Sequence, residues 1–365
     1  MLTIHMIEER GIKLDIKPDA KRKARVFYNV DSIIARDIAE AAFAVFAKKQ
    51  YNVADAMAGS AIRTMRYARH CNANFFINDN NPKAIEVIKQ NLIINNLNLD
   101  NFTITKSDVR EFFAKNRVAF DFVDLDCFGS AMPFIDILSF ALRRNSYVSL
   151  IVTDVAALCG NSPKACRRKY FAKPLYNSFK FETGLRILLA SLCYDFARNE
   201  FAFFPMLSYY YKHFYHVIAK LKKSRRLADE QIRKIKFLNF CKNCLTREYS
   251  TMPKEFCVCG EKLQHAYPVW TENFFDKGFV SKVYSKALEL KFSEAAALLS
   301  LISEENINIP FYTTSEFAKK LKKEMPKVDE LIKKLQKKGF RAVRTHFSKE
   351  GFRTDAKPEE IATFF

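Results

Sequence analysis

Apolar and polar positions along this chain repeat with two different periods. Residues 31–50, DSIIARDIAEAAFAVFAKKQ, carry apolar side chains at helical spacing, with Asp31 or Ser32 placed to cap the start. From there, short apolar runs and amphipathic stretches take turns. NVADAMA (52–58) reads as a strand and SAIRTMRYARH (60–70) as a helix. NFFIND (74–79) and PKAIEVIKQNLIINN (82–96) repeat the pair, with Pro82 suited to a first helical turn. FTITKSD (102–108) is a strand before the short helix VREFFAKN, and FDFVDLD (120–126) a strand before the helix MPFIDILSFALRR (132–144). YVSLIVTD (147–154) is a further strand, ETGLRILLASLCYDFARN (182–199) a helix, and residues 201–221 two closely spaced strands that suit a hairpin. Residues 1–30 read as a short β-rich entry. Strands alternating with helices predict a parallel sheet with helices on both faces. Ligands of such sheets sit beyond the carboxyl ends of the strands. The candidate site residues are therefore Asp55 to Gly59, Asn78-Asp79, Ser107-Asp108, Asp124 to Phe128 and Thr153-Asp154.

After Leu221 the pattern changes. KLKKSRRLADEQIRKIK (220–236) is basic and reads as a linker or connecting helix; residues 237–270 hold four Cys; residues 275–365 are mostly helical and end in a strongly basic unit followed by a strand pair, in the manner of a winged helix. The expected domains are 1–221, 222–274 and 275–365.

Composition narrows the function. At 365 residues and 49% hydrophobic, the chain is globular and long enough for two or three domains. A formal net charge of +20 favours a polyanionic partner, nucleic acid first, over a lysine-rich surface of no purpose. The first residues have no apolar signal-peptide core, and no apolar run reaches the roughly 18 residues of a membrane span. Nine scattered Cys suit a reducing cytosol better than a disulfide framework, so a cytoplasmic protein without a membrane segment is expected. No obligate protein partner is evident.

The strand ends carry the chemistry. Asp79 and Asp108 end successive strands, where carboxylates can hold the ribose hydroxyls and the base amine of a nucleoside; the competing reading is that each merely caps the next helix. The loop after the first of these strands, AMAGSAIR, has the single Gly59, which excludes a G-x-G-x-x-G pyrophosphate cradle. A cofactor without phosphate fits better, and S-adenosylmethionine is the obvious one. Asp126-Cys127-Phe128-Gly129 ends the fourth strand and reads as a variant of the acidic-Pro-Pro-aromatic motif of amino-methyltransferases. A carboxylate and a backbone carbonyl can orient an exocyclic amine whose lone pair is delocalised, and an aromatic can stack on its base. The plainer reading is a strand-ending turn with a buried Phe. Cys241-x-x-Cys244 and Cys257-x-Cys259-Gly260 suit a closed, structural Cys₄ zinc site, against four unrelated buried thiols. Basic-aromatic clusters at 165–181, 208–216 and 316–346 suit phosphates and bases, against solvated faces and a hairpin core. His213 and His216 are assigned no role.

Several segments resemble the tRNA (guanine-26, N2)-dimethyltransferases: VFYN with Arg36-Asp37, AGSAIRTMRYA, NDNNPKAIEVIKQN, DLDCFGSAMPFID, TDVAALCGNSPKACRRKY, ETGLRILL, YPVW and RTHFSKEGFRTDA. The resemblance covers nearly the whole chain. It implies a class I (Rossmann-like) S-adenosylmethionine-dependent methyltransferase with a zinc-ribbon-like insertion and a small α+β C-terminal domain that binds tRNA. It implies N2 of a guanine in tRNA as acceptor, methylated once or twice. By position, Arg36, Arg63, Asp79, Asp108 and Val109 look like cofactor contacts, Asp126 like the catalytic carboxylate, and Phe27 and Phe128 like the aromatics that hold a flipped guanine. The four Cys match a zinc site of some members. The family usually has Pro where Cys127 stands; the carbonyl there survives, and a working site is expected. Ala58 and Ala61 flank Gly59 where more Gly or Thr is common. The alternatives are an amino-methyltransferase acting on another base or nucleic acid, or a non-catalytic zinc-ribbon RNA-binding protein.

Overall fold

The computed structural model describes residues 6–16, 26, 28–116 and 118–365. The chain enters through an antiparallel hairpin, β1 (Met6–Glu9) and β2 (Ile12–Asp15). There follow α1 (Ile33–Phe46), β3 (Asn52–Asp55), α2 (Ile62–Ala68), β4 (Asn74–Asp79), α3 (Pro82–Ile94), β5 (Phe102–Lys106) and α4 (Val109–Lys115). Then come β6 (Phe120–Cys127), α5 (Met132–Phe140), β7 (Leu142–Val152), α6 (Val155–Leu158), α7 (Pro163–Tyr170), α8 (Lys180–Arg198) and the hairpin β8 (Phe201–Tyr211)–β9 (Phe214–Lys223). These strands form one seven-stranded sheet in the order β5-β4-β3-β6-β7-β9-β8. The first five are parallel, and β9 runs antiparallel to both β7 and β8.

Local chemistry sets the starts and stops. Asn81 caps α3 by accepting from the Lys83 amide, with Pro82 in the first turn; Asp108 caps α4 by accepting from the Arg110 amide. Neither expected cap of α1 acts as one. Asn29 instead accepts from the Asp31 amide and opens a 3₁₀ turn over Val30–Ser32, and Ser32 makes no capping bond. The 132–144 helix stops at Phe140, and β7 starts at Leu142 rather than 147, because Leu142 pairs with Phe120 and Tyr147 with Phe122 across a register irregularity. Arg143 and Arg144 are helix-compatible by type, but they lie in β7, between its pairing with β6 at Leu142 and with β9 at Asn145.

The basic stretch after β9 is a connecting helix, not a free linker. α9 (Arg225–Ile232) buries Ala228 and Gln231. The cysteine segment is a three-stranded antiparallel sheet, order β11-β10-β12, of β10 (Ile235–Phe240), β11 (Arg247–Ser250) and β12 (Gln264–Trp270). The last part holds α10 (Lys277–Glu289), α11 (Ser293–Glu304), β13 (Tyr312–Thr313), α12 (Thr314–Leu321), α13 (Val328–Lys337), β14 (Ala342–Arg344), β15 (Gly351–Thr354) and α14 (Pro358–Ala362). Its sheet order, β13-β15-β14, with two helices between the first strand and the wing, is that of a winged helix.

One hydrophobic core runs from Ile34 on α1 to Ile361 on α14, crossing both expected domain boundaries. α10 lies on α1, where Phe46 and Phe279 stack at 6.4 Å. A second core beneath the entry hairpin joins Ile12 and Leu14 to Ile77, Ile88 and Leu92. Among the described residues, no helix is long and apolar enough to cross a membrane.

Candidate active site

The carboxyl ends of β3, β4, β6 and β7 open into a cavity of about 620 Å³, in the size range of small-molecule sites. Its floor begins with the turn after β3, where Gly59 (φ 55°) and Ala61 (φ 59°) are both left-handed. Those two residues bend the chain so that α2 starts at Ile62 and Arg63 lines the cavity.

Asp79, at the end of β4, accepts from the Gly59 amide at 2.9 Å and the Asn81 amide at 2.8 Å. Asp108 accepts from the Arg110 amide at 2.8 Å. Each carboxylate therefore orders a loop or helix start, and each also lines the cavity beside Val109. The two readings of these aspartates coexist.

Of the three carboxylates of β6, two hold one arginine and the third serves the far end of the strand. Asp121, at the far end of the strand, accepts from the Asn52 amide at 2.9 Å and pairs with Arg143 at 3.3 Å. Asp124 is fully buried. It accepts from the Tyr67 hydroxyl and takes one end of the Arg63 guanidinium at 3.5 Å. Asp126, at the cavity wall, takes the other end, with Arg63 Nε and Nη2 at 3.2 and 3.0 Å. Asp124 thus supports Arg63 from inside the core. Beside it on β3, burial and the charge of Asp124 push Asp55 up to about 7, and Thr64 donates to Asp55 at 2.7 Å. Burial raises Asp124 as well, against the opposing charge of Arg63.

Past Asp126 the chain leaves the sheet. Gly129 (φ 85°) donates its amide to the Thr153 hydroxyl at 2.7 Å and accepts from the Thr153 amide at 3.0 Å. That latch holds Phe128 on the cavity wall with 70% of its surface exposed. A buried strand-end Phe is thereby excluded. The Cys127 thiol points inward to the Ile151 carbonyl at 3.2 Å, and burial pushes it up to about 12. It stays a neutral thiol at neutral pH and contributes no nucleophile.

Arg36 also lines the cavity. It is held from below by Glu9 of the entry hairpin, at 2.9 and 2.5 Å, and donates to the Asn29 carbonyl at 3.1 Å. The Tyr28 hydroxyl donates to the same Glu9 at 2.6 Å. Arg66, three residues after Arg63 on α2, is turned away into Glu9, Asp37 and Glu40. Phe27 lies outside the described residues. Tyr28, Asn29 and His213 line the cavity without having been expected there. For His213 the available signal was its place in the aromatic run at the β8–β9 turn. His216 is structural: it lies fully buried between Ser149 (2.9 Å) and Tyr209 (2.8 Å), and burial holds it well below the usual histidine range.

Away from the cavity, the β10–β11 turn brings Cys241 and Cys244 against Cys257 and Cys259. All four sulfurs lie within 4.8 Å of one another, with the closest pairs at 3.5 and 3.4 Å. Tetrahedral zinc with Zn–S of about 2.3 Å separates its sulfurs by about 3.8 Å, so this cluster could hold such an ion.

A sheet of this order, with a reversed hairpin at its edge and a nucleoside-sized cavity without a phosphate cradle, is that of a class I S-adenosylmethionine-dependent methyltransferase. The family model for N2,N2-dimethylguanosine tRNA methyltransferases matches residues 6–365, and the chain belongs to that family. It is 34% identical to a tRNA (guanine(26)-N(2))-dimethyltransferase of Methanobrevibacter smithii, over 93% of this chain and 90% of the relative. It is 33% identical to a tRNA (guanine(26)-N(2)/guanine(27)-N(2))-dimethyltransferase of Aquifex aeolicus, over 97% and 94%. The solved structure of Trm1 from Pyrococcus horikoshii with S-adenosyl-L-methionine is 31% identical, superposes with a TM-score of 0.88 and covers 98% of this chain and 99% of that one.

Proposed function

We propose that this chain methylates the exocyclic N2 of guanine 26 of tRNA, once or twice, and that Asp126 and Phe128 carry the reaction. When bound, S-adenosylmethionine supplies an electrophilic methyl group on a sulfonium for in-line transfer to the amine. Asp79 fits the ribose hydroxyls, and Asp108 and Val109 the adenine, at the mouth of the cavity they line. Arg36 and Arg63 are the cavity's buried cations and fit the methionine carboxylate. Asp126 accepts an N–H of the guanine amine, aims its lone pair and takes up the proton released after transfer. Phe128 stacks on the extruded base and offsets the few kcal/mol that extrusion costs. The carbonyl of Cys127 takes the second N–H. Cys241, Cys244, Cys257 and Cys259 would hold a structural zinc. Nine unpaired thiols suit a reducing cytoplasm.

The observation that carries this reading is the exposed Phe128 next to an arginine-clamped Asp126 at the end of β6, in a chain of this family. The test is methyl transfer from labelled S-adenosylmethionine to unmodified tRNA, with product nucleosides resolved. Label is expected in N2-methylguanosine and N2,N2-dimethylguanosine at position 26. Label in any other nucleoside would overturn the assignment.

A further inference from the structure

The basic-aromatic segment at 165–181 plays no part in the cavity, yet it is built onto the cavity's rim. Asp154 directly follows Thr153, which lines the cavity and latches the Phe128 loop. Asp154 in turn holds the end of α7, accepting from Lys169 Nζ at 2.8 Å and from the Tyr170 hydroxyl at 3.3 Å. α7 therefore projects from the same loop that positions Phe128.

Three features of its outer surface stand apart from an ordinary solvated face. From Asn161 to Phe181 there are six basic residues and no acidic one. Arg167 and Arg168 are exposed, and neither has an acidic partner among the described residues. Phe171 ends α7 in a left-handed conformation (φ 50°) with 78% of its surface exposed. That position usually goes to Gly or Asn, because a Cβ is strained there. A solvated face has no use for a strained phenylalanine in water. The Phe171 amide donates to the Arg167 carbonyl at 3.1 Å, which ties the exposed ring to the last turn of α7 beside the two arginines. Tyr176, 62% exposed, continues the surface, with Lys180 Nζ 4.2 Å from its ring centre.

The platform is also rigid. Lys173 exchanges backbone hydrogen bonds with Tyr267 of β12 at 2.7 and 3.1 Å. Gly160 (φ 84°) lies so close beneath Tyr176 that a Cβ there would meet the Tyr176 amide nitrogen at 3.2 Å.

We infer that this face is a docking surface for the single RNA strand that flanks the extruded guanine. Arg167 and Arg168 hold its phosphates, and Phe171 and Tyr176 stack on a base or cover a sugar. The inference rests on the tRNA reading above. Pulling one nucleotide out of a helix bends the strand on either side. A charged, aromatic, preorganised shelf beside the cavity is what would hold that bend.

Two variants test it, Arg167→Gln/Arg168→Gln and Phe171→Gly, each with tRNA affinity measured against salt, steady-state methylation, and S-adenosylmethionine binding. The double variant should raise the KM for tRNA about tenfold and flatten the log affinity–log salt slope by about 1.4, the share of two phosphate contacts to a single strand. Phe171→Gly should weaken tRNA binding at least about fivefold, by loss of stacking. It should not lower Tm, because glycine is at ease at that backbone angle. Cofactor affinity should stay within about twofold in both. An active wild type whose variants keep its KM and salt slope would overturn the inference. So would a parallel loss of cofactor binding, which would mark a general fold defect. A wild type that methylates no tRNA would instead remove the functional reading on which this one stands.

Discussion

Asp121, Asp124 and Asp126 sit two or three residues apart on one strand, yet only the last two share a partner. Strand geometry accounts for part of this, since successive residues face opposite sides and residues two apart face the same side. Asp124 and Asp126 therefore meet one guanidinium from two heights, while Asp121 serves the opposite end of the sheet. Arg63 is thus a clamp as well as a cavity wall. With Asp124 holding its other end, removing Asp126 should leave Arg63 in place. Asp126→Ala is therefore expected to lower the methyl-transfer rate at least about a hundredfold. Calorimetry should find S-adenosylmethionine affinity within about threefold of wild type. Loss of cofactor binding in step with activity would show that Asp126 shapes the cavity rather than the reaction. The places of Asp79, Asp108, Asp126 and Phe128 on the cavity wall were legible because strand ends follow from periodicity. Glu9 was not: it reaches Arg36 across 27 positions, and no local pattern ties an entry hairpin to the cation it holds.

At the scale of elements, patterning located every strand of the central sheet but misjudged where elements change over. β7 begins at Leu142 because its partner is β6, a register that intrinsic propensity does not encode. The cysteine element was readable from spacing, whereas its mechanical role was not. Lys320 of α12 donates to the Asn243 carbonyl inside the first Cys turn, and Arg247 on β11 pairs with Glu316 on α12. The cluster therefore braces the winged-helix unit against the rest of the chain. Purified protein should release about one equivalent of zinc when its thiols are modified, read with a colorimetric chelator. Metal removal should lower Tm and weaken tRNA binding while S-adenosylmethionine still binds. A chain that carries no zinc, or whose stability ignores chelation, would reduce the cluster to four packed thiols.

Across the whole molecule, the parts are held together by charge buried in a shared core. Arg353 of β15 is fully buried between Glu182 of α8, at 3.0 and 2.9 Å, and Glu305 beyond α11, at 2.7 Å. Arg186 takes Glu182 from the other side at 2.8 Å, and His346 takes Glu305 at 2.5 Å. Burial alone would raise Glu305, but the charges of His346 and Arg353 outweigh it and hold the carboxyl at about 2, against an ordinary 4.5. A depressed carboxyl stabilises the fold above its unfolded value. That stability is complete above about pH 4.5 and is lost as pH falls towards 2. Arg353→Met keeps the bulk but removes the cation that two buried carboxylates share, leaving Glu182 to Arg186 and Glu305 to His346. It should cost about 3–5 kcal/mol in urea unfolding at pH 7. Acidification should then relieve the variant, because its carboxyls gain by protonation, while it weakens the wild type. The gap between the two proteins should narrow from pH 7 to pH 4. Because the core is continuous, tryptophan fluorescence from Trp270 and far-UV dichroism should report one shifted transition. If dichroism instead kept a wild-type transition for the larger, N-terminal sheet, the network would serve only the winged-helix unit, and the expected boundary near residue 275 would also be a boundary of folding.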